Sequence, residues 1–513
     1  MAQLEKNILK TIFIFMTMVF SFSGYTQVSG QVGIKKSDRI QIVNADRLIK
    51  KKNSTAQKFI GNVQLVHQDV ILYCDSAFLF LDSNNLQAFG NVRILQGDSL
   101  SLIGDSLHYV GSLKLATMRG NVKMDDRDMH LETPSLKYNL KDSVGRYTEG
   151  AIITSKKNQN VLTSNVGLYY SNGQTLEFRD SVKLVNPQYE MTSDTLTYNT
   201  VTEKAFFSGE TFIISDSNVI YTENGWYDTK NDRASFRKNS YIISDGQKLQ
   251  GDSLYYDRNM GIGEVFRNMQ ITDTANNIII RGHYGWHDEH LNRSLITDSL
   301  LLIQVFDDDS LFLHSDTALI VQDSLGNKNI HAFHHVKFFK KDMQGASDSL
   351  VFNQSDSTIK MYIYPVLWSE GNQLSADFIS IKTDSSSIES MKLDQNAFLI
   401  SEADTVGYNQ IKGRIMDAYF SKNQLSKLDV FGNAQSVYYV GEEGKKMTGL
   451  NHTVCSNMTL KIKDNTVDRI TFRDQPDAVL YPIHKINPKV KILQGFKWEA
   501  ELRPEKIEDI YTW

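Results

Sequence analysis

The same phrase recurs along this chain at intervals of about thirty residues, and that period limits the fold more than any other feature. "CDSAFLFLDSNNLQAFGNV" opens at Cys74, and "GDSLHYVGSLKLATMRGNV" fills 104–122. "TSDTLTYNTVTEKAFFSGETF" and "GDSLYYDRNMGIGEVFRNMQI" follow at 192 and 251. The closing letters fall at Asn62, Asn91, Asn121, Gly150, Asp180, Gly209, Asn239, Asn268 and Asp298. Less regular closings come near His335, Pro365, Asn396, Asn433 and Asp477. A fixed period of this length is the signature of a stacked array, in which each unit buries its apolar face against its neighbours.

Within each unit the hydrophobic period is two. Leu107 and Tyr109 alternate with Ser106 and His108, and Val122 and Met124 with Asn121 and Lys123. Leu136 and Tyr138 repeat the rule, as do Leu196 and Tyr198. Such alternation means strands with one apolar and one wet face. Turn clusters stand between them at 82–85, 171–174, 228–232 and 257–261, rich in the Asn, Asp and Gly that chain reversals need. The expectation is an all-β stack of strand–turn–strand units. Its inward row holds Leu107, Tyr109, Val122, Met124, Leu136, Tyr138, Ile152, Leu196, Tyr198, Phe212, Leu254, Tyr256 and Ile271. Large tyrosines mixed with smaller aliphatics favour a roomy apolar interior over a tight ladder of one residue type.

The chain divides into four parts. Lys6 and Lys10 precede the apolar stretch Thr11–Phe22, so residues 1–27 are expected to be a secretory signal peptide, shorter than a membrane span. Cleavage fits after either of two small-residue pairs, Ser21 and Ser23 or Gly24 and Thr26. Regular repeats occupy 32–300, and less regular repeats of the same type 301–484. Residues 485–513 leave the pattern, with prolines, two tryptophans and a short helix expected from Pro504; they read as a terminal cap or docking tail. Four of the seven prolines (Pro476, Pro482, Pro488 and Pro504) lie late, so the body avoids a residue that cannot donate to a ladder.

The net charge of −5 leaves no basic excess for nucleic acid. In a linear stack Cys74 and Cys455 would lie on the order of 100 Å apart, so two unpaired, buried thiols are expected. Enzyme motifs fare poorly. "HYGWHDEH" gathers His283, His287, Asp288, Glu289 and His290, but His287 falls where Tyr256 and Tyr227 fall, and Asp288 where Asp257 and Asp228 fall. That frame makes the cluster a strand end and a turn. "HAFHH" (His331, His334, His335) reads the same way. A polysaccharide lyase coil usually needs about 22–25 residues, fewer than this repeat. No catalytic residue, metal site or cofactor is expected. The recurring Asp-Ser/Thr-apolar triplet, as at 75–77, 98–100, 105–107, 194–196, 252–254, 298–300 and 348–350, reads as a turn aspartate leading into a strand. Some copies also resemble bacterial O-glycosylation acceptor sites.

"LSLIGDSLHYVGSLKLATMRGNVKM" (100–124), and "IQIVNADRLIK" followed by "FIGNVQLVHQDVILYCDSAFL", resemble the OstA-like family of periplasmic lipopolysaccharide-transport proteins. The length is similar to that of its long Bacteroides-type members. The resemblance is close over about 38–300 and looser over 300–480. It implies a β-jellyroll folded like a taco, two sheets meeting in a V, with a groove for lipopolysaccharide acyl chains. The inward row named above would line that groove. It implies a non-enzymatic bridge in the periplasm, open to association with the outer membrane and peripheral to membranes. Partners would be lipopolysaccharide or a similar glycolipid, and other transport proteins joined through exposed edge strands. The rival expectation is a structural or adhesive exported β-solenoid with a packed interior.

Overall fold

The computed structural model describes residues 38–513 apart from 51–53, 128, 157–159, 171–174, 188, 200, 216–217, 229, 245, 307–308, 385–386, 404–406, 422–423, 442–446 and 464–465. The expected signal segment 1–27 and the turn at 171–174 lie outside the described residues. Among the described residues there are 34 strands, no α-helix and a few 3₁₀ turns. Every strand pairing is antiparallel, as in Val70–Phe80 with Asn85–Gln96 and Ser310–Gln322 with Lys328–Lys340. The architecture is the all-β repetitive stack that the alternation predicts. It falls into two compact units: an N-terminal one reaching Asp245 and including Gln250–Gly261, and a C-terminal one formed by Gly246–Leu249 and Ile262–Trp513.

The recurrent closing letters are mid-strand bulges, not chain reversals. Gly90 and Asn91 stand together against one residue of the neighbouring strand, where the register jumps from Phe89↔Ser106 to Val92↔Gly104. Both are left-handed, at φ +76° and +46°. The same device recurs at Gly61/Asn62, Gly120/Asn121, Lys238/Asn239, Arg267/Asn268, Gln395/Asn396 and Gly432/Asn433. Late in the chain it falls at Ile363/Tyr364 rather than Pro365, and at Asp474/Gln475 rather than Asp477. An extra residue bends its strand and raises the local twist, so a line of bulges divides the strands into two arms.

A carboxylate faces each of several bulges across the ladder. Asn91 Nδ2 donates to Asp75 Oδ2 at 2.9 Å, Asn121 Nδ2 to Asp105 Oδ2 at 2.9 Å, and Asn62 Nδ2 to Asp46 Oδ2 at 3.1 Å. Asp75, Asp105, Asp194, Asp252 and Asp348 therefore lie inside strands. This corrects the turn reading of the Asp-Ser/Thr-apolar triplet at these copies, where the acid meets the bulge and the apolar residue two places on returns to the inward row. At 98–100 the reading holds, with Asp98 in a turn before the strand Leu100–Val110. True reversals use other aspartates. Asp228, Asp257 and Asp288 end strands and accept the main-chain N–H of Asn231, Met260 and Leu291. His287 and Asp288 thus hold the strand-end frame expected for "HYGWHDEH".

The bulge also sets which side chains point inward. Two inward assignments are corrected. Ile152 is 49 % exposed, while Ala151 and Ile153 on either side are buried; here the residue directly after the bulge glycine turns inward. Phe212 faces outward, because Thr211 takes the position that Val122 takes after Gly120 and Asn121. Its ring lies 4.9 Å from that of Tyr221 on the outer face.

The interior of the N-terminal unit is filled. Leu86, Val92, Ile94, Leu102, Met118 and Met124 have no exposed surface to speak of, and Tyr109 and Tyr138 are buried among them. Tyr109 O–H donates to His67 Nδ1 at 2.7 Å, and His67 Nε2 donates to Asp38 O at 3.2 Å. Over residues 59–147 the inward side chains are buried against one another where a roomy trough is expected. Both cysteines are free and buried. Burial pushes the Cys74 thiol up to about 12.

In the C-terminal unit the tail lies against the outer face of the sheet. Three buried glutamines fix it. Gln410 donates to Lys491 O and accepts from Leu493 N, at 2.8 and 2.9 Å. Gln373 does the same with Lys497 O and Glu499 N, both at 2.8 Å. Gln344 accepts from Arg503 Nε at 3.0 Å. Phe496 and Trp498 pack on Tyr408, and Leu502 covers Val366 and Trp368. Tyr511 ends on His314 and Trp513 on His335. The short helix expected from Pro504 is a 3₁₀ turn over Ile507–Tyr511.

Two substitutions test these devices. A Cβ on Gly120 would lie 2.4 Å from Asp105 Oδ2, at φ +78°. Gly120→Ala is expected to destabilise by about 2 kcal/mol, read as a lower urea midpoint, and Asp105→Ala in the same chain should restore only the steric part. Gln373→Ala strands Lys497 O and Glu499 N, a loss of about 1–3 kcal/mol. Limited proteolysis should then cut within 485–513 earlier than in the parent chain.

Candidate functional site: an apolar cavity in the C-terminal unit

The inward row does open in the C-terminal unit. A cavity of about 270 Å³ is lined by side chains from eight strands between Ile278 and Ile388, among them Ile280, Leu302, Leu313, Ile320, Phe338 and Phe352. Gln304 and Thr383 are the polar side chains of its wall, and no charged side chain lines it.

Residue size at recurrent inward positions contributes to the opening. Two places after Asp105, Asp194 and Asp252 stand Leu107, Leu196 and Leu254, and four places after them Tyr109, Tyr198 and Tyr256; after Asp75 stand Ala77 and Leu79, both buried. After Asp316 the same places hold Ala318 and Ile320. On the strand Ile278–Asp288, Gly285 stands two places after His283. Alanine and isoleucine in place of leucine and tyrosine leave volume that those side chains fill around Leu107 and Tyr109. The outward residues of the same strands carry the tail, so the cavity wall is braced from behind by His314, Lys337 and Gln344.

One cation lies near the rim. On the strand Lys328–Lys340, Ile330 and Ala332 line the cavity, and Lys328 is the next inward position by alternation. It is half-buried, and burial holds its ammonium down to about 8. Among the described residues no carboxylate pairs with it.

The nominated inward residues lie elsewhere. Leu107, Tyr109, Val122, Met124, Leu136, Tyr138, Leu196, Tyr198, Leu254 and Tyr256 are buried in the N-terminal unit. Ile271 is a half-buried inward residue of the C-terminal unit, paired with the cavity residue Ile280. None of them lines the cavity. Ala318 and Ile320 depart from the Leu-x-Tyr pair of three repeats, but Ala77 and Leu79 do so in a filled core, so the sequence pattern alone does not mark the cavity. The histidine clusters are absorbed by the fold. His335 Nδ1 donates to Asp316 Oδ2 at 2.9 Å and His334 Nδ1 to Asp348 Oδ1 at 3.3 Å, in the bulge role that asparagine fills elsewhere. Among the described residues no group of three or more His, Cys, Asp or Glu could hold a metal ion. No helix among them is long and apolar enough to cross a membrane.

Fold and cavity together define an all-β repeat protein with a partly open apolar site. Residues 31–194 match the family model described as OstA-like protein. Among solved structures the chain is similar to LptH, described as the LptA homologous periplasmic component of the conserved lipopolysaccharide transport device from Pseudomonas aeruginosa. The identity is 14 %, covering 22 % of this chain and 85 % of that one, with a TM-score of 0.20. No curated protein matches the sequence.

Proposed function

We propose that the chain is a non-enzymatic lipopolysaccharide-transport protein of the periplasm that takes up lipid acyl chains in the cavity of its C-terminal unit. The observation that carries this reading is the uncharged, almost wholly aliphatic wall of that cavity. Each methylene withdrawn from water contributes about 0.8 kcal/mol, which is the force that would draw an acyl chain in. The OstA-like span supports the transport class. Coupling to similar folds would use edge strands. Gln41–Asn44 and Arg47–Lys50 are exposed throughout and pair along one side with Ala56–His67. At the other end Val479 and Leu480 are exposed on the strand Asp477–Pro482. Unpaired main-chain groups on such edges template a further strand. The nominated residues of the N-terminal unit could line a path for lipid only if that packed core opens. Its tight packing favours a second reading, a structural or adhesive solenoid.

A fluorescent acyl probe separates the two. The parent chain should bind it saturably, with displacement by lipopolysaccharide. Ala318→Leu with Ile320→Tyr restores the residues used elsewhere in the repeat and should weaken binding at least about tenfold, the factor worth 1.4 kcal/mol, without lowering the melting temperature. Absence of probe binding by the parent chain, or equal binding by both, favours the solenoid.

Lys328 suits an anionic head beside the acyl chain. Deprotonation removes its charge, so affinity for laurate should fall as pH rises through about 8. Affinity for dodecanol should stay level, and Lys328→Met should abolish the pH dependence for laurate.

A further inference from the structure

The tail carries a second surface, unrelated to the cavity. Between His484 and Lys497 it holds Lys485, Lys489, Lys491 and Lys497 and no acidic residue. In a chain of net charge −5 this is a local reversal of sign. Lys485, Lys489 and Lys497 are exposed, and Lys491 is half-exposed. Among the described residues none of the four forms an ion pair, whereas Lys114, Lys123, Lys183, Lys204 and Lys382 each meet a carboxylate.

The lysines are not on a loose end. Lys491 and Lys497 are the residues whose carbonyls accept from Gln410 and Gln373. Lys412 Nζ reaches Gln494 O at 2.7 Å, which keeps a further cation beside the strip. Leu493 is buried against the sheet, so its neighbour Ile492 is turned to solvent, 57 % exposed. The sheet thus presents a fixed row of cations with an aliphatic side chain standing among them. Long lysine stems with an apolar residue between them suit a surface of anionic headgroups, where each cation adds to the attraction and the aliphatic group enters the interface.

We propose that residues 484–497 form a docking strip for an anionic phospholipid surface, and that the C-terminal unit is held against a membrane through it. The partner is identified by charge complementarity: unpaired cations, no acid in the segment, and one exposed aliphatic side chain.

The test uses the full chain and sedimentation with vesicles. One set contains phosphatidylcholine with phosphatidylglycerol as the anionic lipid, and the other phosphatidylcholine alone. The expected result is binding to the anionic vesicles only, lost at about 0.5 M salt, where charge interactions are screened within a few ångströms. The variant Lys485→Gln, Lys489→Gln, Lys491→Gln, Lys497→Gln should lower the partition coefficient at least about tenfold. Replacing Lys58, Lys137, Lys141 and Lys183 by Gln, which removes the same charge from the N-terminal unit, should leave partitioning within about twofold. Among the described residues the four tail side chains form no ion pair, and Gln keeps much of each aliphatic stem, so an unchanged melting temperature shows that the variant is folded. Failure of the parent chain to bind anionic vesicles overturns the inference, as does an equal loss in both variants. Acyl-probe binding in the cavity is read separately and does not depend on these lysines.

Discussion

A hydrogen bond from an asparagine in a bulge to a carboxylate on the adjacent strand holds the repeat together. In a strand, a slip of one residue exchanges the two faces. This chain has to keep one face apolar through strand after strand, so small errors of register would be ruinous. The pair Asn91–Asp75, repeated as Asn121–Asp105 and Asn62–Asp46, fixes one point of register per hairpin. Gly90 and Gly120 are needed there because the backbone is left-handed and because the carboxylate occupies the space of a Cβ. Where the glycine is absent the clamp persists with other donors, as in Asn239 to Glu223 and His335 to Asp316. Inward packing, the outward turn of Phe212 and the placement of the cavity all follow from where these bulges fall.

The two units use the same backbone plan for different interiors. In the N-terminal unit Leu107, Tyr109, Leu136, Tyr138 and the inward residues between them are buried against one another. In the C-terminal unit Ala318 and Ile320 sit at the register of Leu107 and Tyr109 and border an apolar hollow. What stabilises a sheet with a hollow on one side is the layer on the other. Phe398, Ile400, Val437 and Tyr439 are outward residues that would face water, yet they are buried because Leu493 and its neighbours lie over them. Behind the cavity strands the tail contacts are those of Tyr511 with His314, Trp513 with Lys337 and Arg503 with Gln344.

Much of this was legible in the sequence. Period-two alternation gave the strands, and the thirty-residue recurrence gave the stack. The frame through Tyr227, Tyr256 and His287 correctly dissolved a tempting histidine cluster. The misreadings share one physical origin. Asn, Asp and Gly favour left-handed backbone both in turns and in bulges, so their spacing marks a special conformation without saying which. For that reason Asp105 reads as a turn residue, and Phe212 and Ile152 are assigned to the wrong face. Alternation also says which side chains point inward and nothing about whether they meet; the fullness of the core around Tyr109 is a matter of volume. The glutamines that hold the tail were illegible, since Gln344, Gln373 and Gln410 are far from it in sequence and unremarkable in composition.

In a stacked array each rung ordinarily touches only the rungs beside it, so opening can begin at an end and travel one hairpin at a time. The tail changes that rule for the C-terminal unit. It runs across the strands and is tied to Gly407–Ser421, Asn372–Ser375, Met343–Asn353 and Ser310–Gln322 in turn. A pull on the terminal strands is therefore shared among hairpins that are not neighbours in sequence, much as a batten stiffens a row of slats. Fraying is left to the rungs the tail does not cross, and those it does cross give way together.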